Sequence, residues 1–552
     1  MVWFVSVESV DRIIYPIFQR FNLKWKTRRP LHIYTSGSTS PKSHSVTYAR
    51  GNQSMMSWPL SDSEPIAGRL TLRLSVSTFV LATAWIVLAM LISHLIRCAY
   101  RGESLSLFNH LIAGRAEHPL DEYLARWNVL TWSGLGAIFS AGAFLIVATR
   151  PRPLWLVQFG PPVCAFLLVR ALLWVSFAAA PAHEVLSHHR WDGTPARFAT
   201  SFNLESWSRW DSGVYLSIAR AGYEFYPCDI PSEGAPISRQ GGRAGTESWC
   251  GNCPWFPGYS ILVWFLARFR LPELAVGVLL SAVFCLLTLS LLWREFLSAE
   301  RTVKNFLCLL FASLFPGAVY YHAVFPISMM TFLILVSLHF ARRKRWAFCG
   351  LAGAAAAFTY PPGAFLAIVF AAWVFYWFRD VRWRDKLWWT ATVGVLTTAG
   401  VALVFIVQRL FVGAWLTFFR AQGAYKEGSF GNPVTILFHS ARTLFRDWGH
   451  PGTAVIAANT LFNATLVVLL VAFAARAARR SPVEAYQVIF LLVFWVALLS
   501  LGEWSQTRKQ ALLLPAVPLA RHLPGWVLWV IVPLSLLLLL LEGTMFFNAS
   551  LI

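Results

Sequence analysis

The chain has 552 residues, of which 57% are hydrophobic and only 13% charged, and 47 Lys+Arg against 26 Asp+Glu give a formal charge of +21. A soluble chain carries about a quarter charged residues, so the composition excludes an ordinary globular enzyme. The basic residues punctuate apolar runs instead of gathering with aromatics in one domain, so nucleic acid is not an expected partner.

Residues 1–70 are polar and basic, with Ser, Pro and Gly concentrated between 36 and 65. They lack the ordered signature of a signal peptide and read as a cytoplasmic extension, disordered in part. Apolar runs follow, each approaching the ~20 residues that cross a hydrocarbon core as a helix. Backbone polar groups cannot go unpaired in lipid, so these runs must be helices. Two additional spans are expected within 71–153, at about 74–96 and 129–148, and a third at 154–180. Residues 256–269 read as a short interfacial helix. Further spans are expected at about 273–296, 305–322, 325–341, 346–378 (a hairpin broken at Tyr360-Pro361-Pro362-Gly363), 388–411, 453–474, 484–501, 510–523 and 525–545. The expected fold is an all-α polytopic membrane bundle of about 13 spans.

Arg342-Arg343-Lys344-Arg345, then Arg379, Arg382, Arg384 and Lys386, then Arg476, Arg479 and Arg480 each follow a span. This positive-inside pattern puts the N-terminus in the cytoplasm and the stretches 181–255, 412–452 and 502–510 on the outer face. The basic groups also suit anionic lipid headgroups. Of eight cysteines, Cys228, Cys250 and Cys253 share the first outer stretch; a disulfide between Cys228 and one of the other two is favoured over a zinc site. His183, His188 and His189 lack the helical spacing of a zinc site, so no metal is expected. Asn548-Ala549-Ser550 is an outer-side sequon. Arg170, deep in a span, costs ~2.5–3.5 kcal/mol on insertion scales and is a functional candidate by default.

The first outer stretch contains Ser208-Arg209-Trp210-Asp211-Ser212-Gly213-Val214-Tyr215-Leu216-Ser217-Ile218-Ala219-Arg220-Ala221-Gly222-Tyr223-Glu224 and later Phe256-Pro257. In Trp210, Asp211, Tyr215, Leu216, Ile218, Ala219, Gly222, Tyr223, Phe256 and Pro257 the chain resembles the phosphatidylinositol-glycan class V (PIG-V) family of mannosyltransferases, from about 154 to the C-terminus. The resemblance implies a C-type glycosyltransferase bundle over 154–552, and it favours a structural partner within that bundle for Arg170. Its substrates would be a polyprenyl- or dolichyl-phosphate sugar donor and a lipid-linked or glycan acceptor, as in GPI-like glycolipid biosynthesis, with no cofactor beyond the donor. It further implies an integral multi-pass location, in the cytoplasmic membrane of a bacterium or the endoplasmic reticulum membrane of a eukaryote, with the active site on the outer or lumenal side. Membrane lipids are then partners, and a partner subunit stays open.

Sugar transfer from a lipid phosphate needs one base for the acceptor hydroxyl and no general acid, because phosphate leaves as a stable anion beside a cation; glycosidases instead need two carboxylates. Asp211 is the expected base, against the alternative that it merely caps the helix over 212–220. Arg209, Trp210, Tyr215, Arg220, Tyr223, Glu224, Gln422, Lys426 and Arg508 are the expected substrate-binding residues, with Arg420 and Lys509 as further cations for phosphate. Asp192, in the look-alike Arg190-Trp191-Asp192, lacks the following helix and reads as structural. Three positions depart from the family pattern: Phe325-Pro326-Ile327, Thr359-Tyr360-Pro361, and Ala511-Leu512 with Arg508 one turn earlier. These keep two rivals open, an inactive scaffold and a lipid or solute transporter. A transporter predicts paired polar residues on facing spans and an internal repeat, and the sequence reading finds neither.

Overall fold

The computed structural model describes residues 154–179, 204–227, 249–298, 302–422, 431–446, 451–502 and 505–547. The N-terminal extension, the first two expected spans, Asp192, the three histidines, Lys426 and the sequon lie outside those residues. Among the described residues, six helices are long and apolar enough to cross a membrane: Gln158–Phe177, Glu273–Phe296, Trp383–Val412, Gly452–Ala478, Pro482–Ser500 and Gly525–Phe547. The chain is a multi-pass, all-α membrane protein.

The order is α1 (Leu154–Ala179), a 3₁₀ turn at Leu204–Trp207, α2 (Ser212–Ala221), an antiparallel pair of short strands β1 (Phe225–Pro227) and β2 (Trp249–Gly251), and α3 (Gly258–Ala267). Next come α4 (Glu273–Leu291), α5 (Val303–Ser313), α6 (Val319–His322), α7 (Ile327–Arg342), α8 (Trp346–Thr359) and α9 (Phe365–Trp377). The rest is α10 (Trp383–Val412), α11 (Thr417–Gln422), α12 (Pro433–Phe445), α13 (Pro451–Ala478), α14 (Pro482–Ser500), α15 (Gln506–Ala511), a 3₁₀ helix at Leu514–His522 and α16 (Gly525–Phe547).

Small residues set the tightest helix pair. A Cβ on Gly400 of α10 would meet the Ala354 carbonyl oxygen of α8 at 2.1 Å, and one on Gly353 would meet Thr397 Oγ1 at 2.4 Å. The two backbones touch because α8 is nearly all Gly and Ala facing α10, the close approach that drives helix association in lipid. As expected, the chain turns between α8 and α9 at Pro361–Ala364, where proline cannot continue the ladder. At the opposite end of the bundle, Glu295 gathers Arg294 at 3.1 Å, His339 at 3.2 Å and Arg343 at 3.6 Å. Glu484, buried, pairs with Arg521 and accepts the Ser481 hydroxyl.

Two expected spans come out differently. The run 305–322 is not one helix: α5 stops at Ser313, Gly317 takes a left-handed φ of +81°, and only a single turn, α6, follows before Pro326 opens α7. The run 510–523 is likewise divided, into the end of α15 and a 3₁₀ helix that contains Pro515 and Pro518. Both breaks free backbone groups in the same part of the bundle, and side chains satisfy them there. The stretch 412–452, expected as a loop, carries α11 and the amphipathic α12, whose Val434, Phe438 and Phe445 are exposed.

Candidate functional site

The segment before α2 is pinned from several directions. Val324, between α6 and α7, donates its N–H to the Trp207 carbonyl at 3.0 Å. Arg209 is buried, and its Nη1 donates to the Glu205 and Ser208 carbonyls at 2.9 and 3.0 Å, so it clamps its own turn. Its backbone N–H donates to Ser212 Oγ at 3.1 Å. Trp210 then adopts φ +46°, a left-handed conformation that costs a side-chain-bearing residue about 1–2 kcal/mol. Its ring packs edge-on against Phe546 of α16, centroids 5.4 Å apart. The reversal at Trp210 sets the direction in which the next side chain leaves.

That side chain is Asp211. It occupies the N-cap position of α2 yet makes no capping hydrogen bond. Its carboxylate instead pairs with the guanidinium of Arg508, 297 positions later on α15. The capping alternative therefore fails: the first turn of α2 does without the carboxylate. Arg508 is nearly buried, and its guanidinium lies 5.5 Å from the centre of the Phe325 ring.

What seats Arg508 is the break at Gly317. A Cβ there would meet the Thr507 carbonyl oxygen at 2.6 Å and Ala511 Cβ at 2.8 Å, so α15 rests directly on the turn. The Gly317 N–H donates to Glu542 Oε2 of α16 at 2.7 Å, and the Tyr321 hydroxyl donates to the Ala511 carbonyl. Glu542 is wholly buried, and its Oε1 has no hydrogen-bond partner. Asp211, Arg508 and Tyr360 all act electrostatically on the hydroxyls of Tyr215 and Tyr320, so Tyr360 belongs to the same neighbourhood. The segments Phe325-Pro326-Ile327, Thr359-Tyr360-Pro361 and Ala511-Leu512 thus converge here. Phe325 lies beside Arg508, Tyr360 stands near the pair, and Ala511 fixes α15.

The other expected site residues divide. Tyr215 is fully buried, its ring edge-on to Tyr259 at 5.9 Å and to Phe325 at 6.3 Å, so it forms the floor behind Asp211. Arg220, Tyr223 and Glu224 lie at the far end of α2, about 15 Å along a ten-residue helix from Asp211. Arg220 is exposed and pairs with Glu273 at 3.8 Å. Tyr223 donates to the Trp255 carbonyl at 2.7 Å and packs with Val214, Ile218, Cys253 and Ala421. Burial holds the hydroxyls of Tyr215 and Tyr223 well above the usual tyrosine range, so both stay protonated and neither is a base. Glu224 is tied through its backbone to Asn252, and its Oε2 is buried without a partner. Gln422 ends α11, next in sequence to Ala421, which packs in the Tyr223 cluster. Arg420 is exposed, and Lys509 Nζ donates to the Leu501 carbonyl at the end of α14, 2.9 Å away.

Known family models and curated proteins give no match to this chain. Among the described residues no group of three His, Cys, Asp or Glu could hold a metal ion. Cys250 is disulfide-bonded, Tyr226 opposite it in the strand pair, while Cys253 is a buried free thiol that donates to the Glu224 carbonyl at 3.4 Å.

Sequence reasoning missed Glu542, although a lone carboxylate in a leucine run is a legible signal. It also missed the buried amides of α13. Asn459, Thr460 and Asn463 are fully buried, and Gln510 Nε2 of α15 reaches Thr460 Oγ1 at 3.5 Å and Gln506 Oε1 at 3.2 Å. The Gln510–Thr460 contact pairs polar residues of neighbouring helices, where none was expected.

Proposed function

We propose that this chain is a membrane glycosyltransferase that moves a hexose, mannose first among the candidates, from a polyprenyl-phosphate donor to a lipid-linked or glycan acceptor on the Asp211 side of the bilayer. The observation that carries the reading is the Asp211–Arg508 pair, a carboxylate released from capping and matched with a nearly buried cation at a break in the helices. The acceptor hydroxyl would give its proton to the Asp211 carboxylate as its oxygen bonds to the anomeric carbon. The bond from that carbon to the phosphate oxygen breaks, with inversion, and phosphate leaves as an anion. The guanidinium that now holds Asp211 would meet that charge, since Arg suits phosphate bidentately. The resemblance in Trp210, Asp211, Tyr215, Phe256 and Pro257 supports the same assignment. The test is transfer of radiolabelled mannose from polyprenyl-phosphate mannose to extracted membrane lipids by purified protein. No transfer of any hexose would favour an inactive scaffold.

A second reading rests on the buried amides and one hydroxyl. Asn459, Asn463, Thr507 and Gln510 each keep a polar side-chain atom without a partner inside the bundle. A neutral solute crossing the bundle would meet such groups, as in a transporter. Flux of a neutral polyol into proteoliposomes, lost on Asn459→Leu, would favour it.

A further inference from the structure

Arg170 meets the bundle through an aromatic ring and a backbone carbonyl, not through a described carboxylate. It lies on α1, nine residues before the end of the helix, and no described carboxylate pairs with it. Its guanidinium covers the Trp207 ring at 4.1 Å and approaches Phe166 at 5.9 Å, and Nη1 donates to the His322 carbonyl at a long 3.5 Å. A guanidinium carries five N–H donors, and among the described residues most of the fork has no acceptor. His322 is itself buried, its ring 5.0 Å from Phe166, and its Nδ1 has no partner. A cation and an unsatisfied imidazole nitrogen thus share one nook beneath Trp207.

The face on which Arg170 sits is specific. Phe159, Val163, Leu167 and Trp174 are exposed, at 42%, 36%, 44% and 38%. With Arg170 they fall at steps of four, four, three and four residues, which is one stripe of an α-helix. The stripe is apolar along its length except at this one arginine. An anion with an apolar tail matches that pattern: the tail along Phe159, Val163 and Leu167, the charge at Arg170, with Trp207 closing over it. A small inorganic anion would match the nook but not the stripe.

We propose that Arg170, with Trp207 and His322, forms a binding site for the phosphate group of a membrane lipid whose chain lies along the exposed face of α1. The site is separate from the Asp211–Arg508 pair. Trp207 packs on Phe547 at 5.5 Å, Phe547 on Phe546 at 5.5 Å, and Phe546 on Trp210 at 5.4 Å, so an aromatic row stands between them. Because binding is read without turnover, failure here would leave the transferase reading standing, and the reverse also holds.

The experiment is equilibrium binding of farnesyl phosphate, a short-chain phosphatidate, farnesol and inorganic phosphate to the purified full-length protein in detergent. Both lipid phosphates should bind at least tenfold more tightly than farnesol or inorganic phosphate, and the tighter of the two identifies the source. Arg170→Gln should weaken the lipid phosphates tenfold or more without changing farnesol binding, and Arg170→Lys should recover part of the loss. Arg268→Gln, which removes an exposed arginine covering Trp264 at 3.8 Å, is the control and should bind as wild type does. Equal binding by wild type and Arg170→Gln, or inorganic phosphate competing as well as the lipids, would overturn the proposal. If Arg170→Gln does not fold, a diazirine-tailed prenyl phosphate on wild-type protein decides. Labelling concentrated on 159–167 supports the site, and labelling spread evenly over exposed α10 residues such as Trp388 and Val395 rejects it.

Discussion

Breaking the Asp211–Arg508 pair should cost more from one side than from both. The side chains are 20% and 8% exposed, so neither charge is fully hydrated when its partner is removed. Removing one member of a buried pair costs about 3–5 kcal/mol, largely because the other charge is left uncompensated. With Asp211 partly open to solvent, Arg508→Met should cost about 2–4 kcal/mol, at or below that range. Asp211→Asn should cost less, because the amide keeps an acceptor for the guanidinium and Phe325 still faces it. The double variant should recover about 2 kcal/mol relative to the sum of the two, since no charge then remains to strand. The assay is a double-mutant cycle on unfolding free energies from steric trapping in bicelles. Additivity within about 0.5 kcal/mol would refute the reasoning, because that is the behaviour of sites that do not interact.

Three further outcomes follow from the geometry. Gly317→Ala should destabilise by more than about 2 kcal/mol, from the positive φ and the contact with the Thr507 carbonyl, and should lower transfer by displacing α15; Gly394→Ala, with nothing within 4 Å of the new Cβ, should be neutral or slightly stabilising in the same unfolding assay. Tyr223→Phe should cost about 1 kcal/mol for the bond to the Trp255 carbonyl while leaving the acceptor KM unchanged; a KM rise with intact stability would return Tyr223 to the substrate. Burial pushes the Cys253 thiol up to about 11, so at pH 7.5 it is protonated as well as covered. Iodoacetamide should therefore spare it in native protein and label it only after unfolding, with Cys250 labelled only after reduction.

Much of the framework was legible because lipid removes alternatives: an apolar run of sufficient length can only be a helix, so α1, α4, α10, α13, α14 and α16 follow from hydropathy alone. The helix after Asp211 was also legible, as the stretch 212–220 that an Asp could cap. Pro316 reads as a kink, but hydropathy could not show that the helix ends there, since Phe315-Pro316-Gly317-Ala318 is as apolar as its surroundings. Nor could it choose among six candidate cations. Arg220 and Arg209 are near Asp211 in sequence, but one lies a helix length away and the other closes its own turn, while the partner, Arg508, comes from the other end of the chain. Sequence proximity carries no information on that choice, because contact across 297 positions is a property of packing. The capping alternative for Asp211 was equally undecidable, as it depends on where one carboxylate points.

The most direct test of the account is the rate of mannose transfer from polyprenyl-phosphate mannose by purified wild-type protein, Asp211→Asn and Asp192→Asn. A general base contributes roughly 10²–10⁴-fold, so Asp211→Asn should lose at least two orders of magnitude while remaining folded and membrane-inserted, and Asp192→Asn should keep most of the activity. Transfer by Asp211→Asn at the wild-type rate would contradict the assignment of the base, and loss confined to Asp192→Asn would move the chemistry to the other Arg-Trp-Asp.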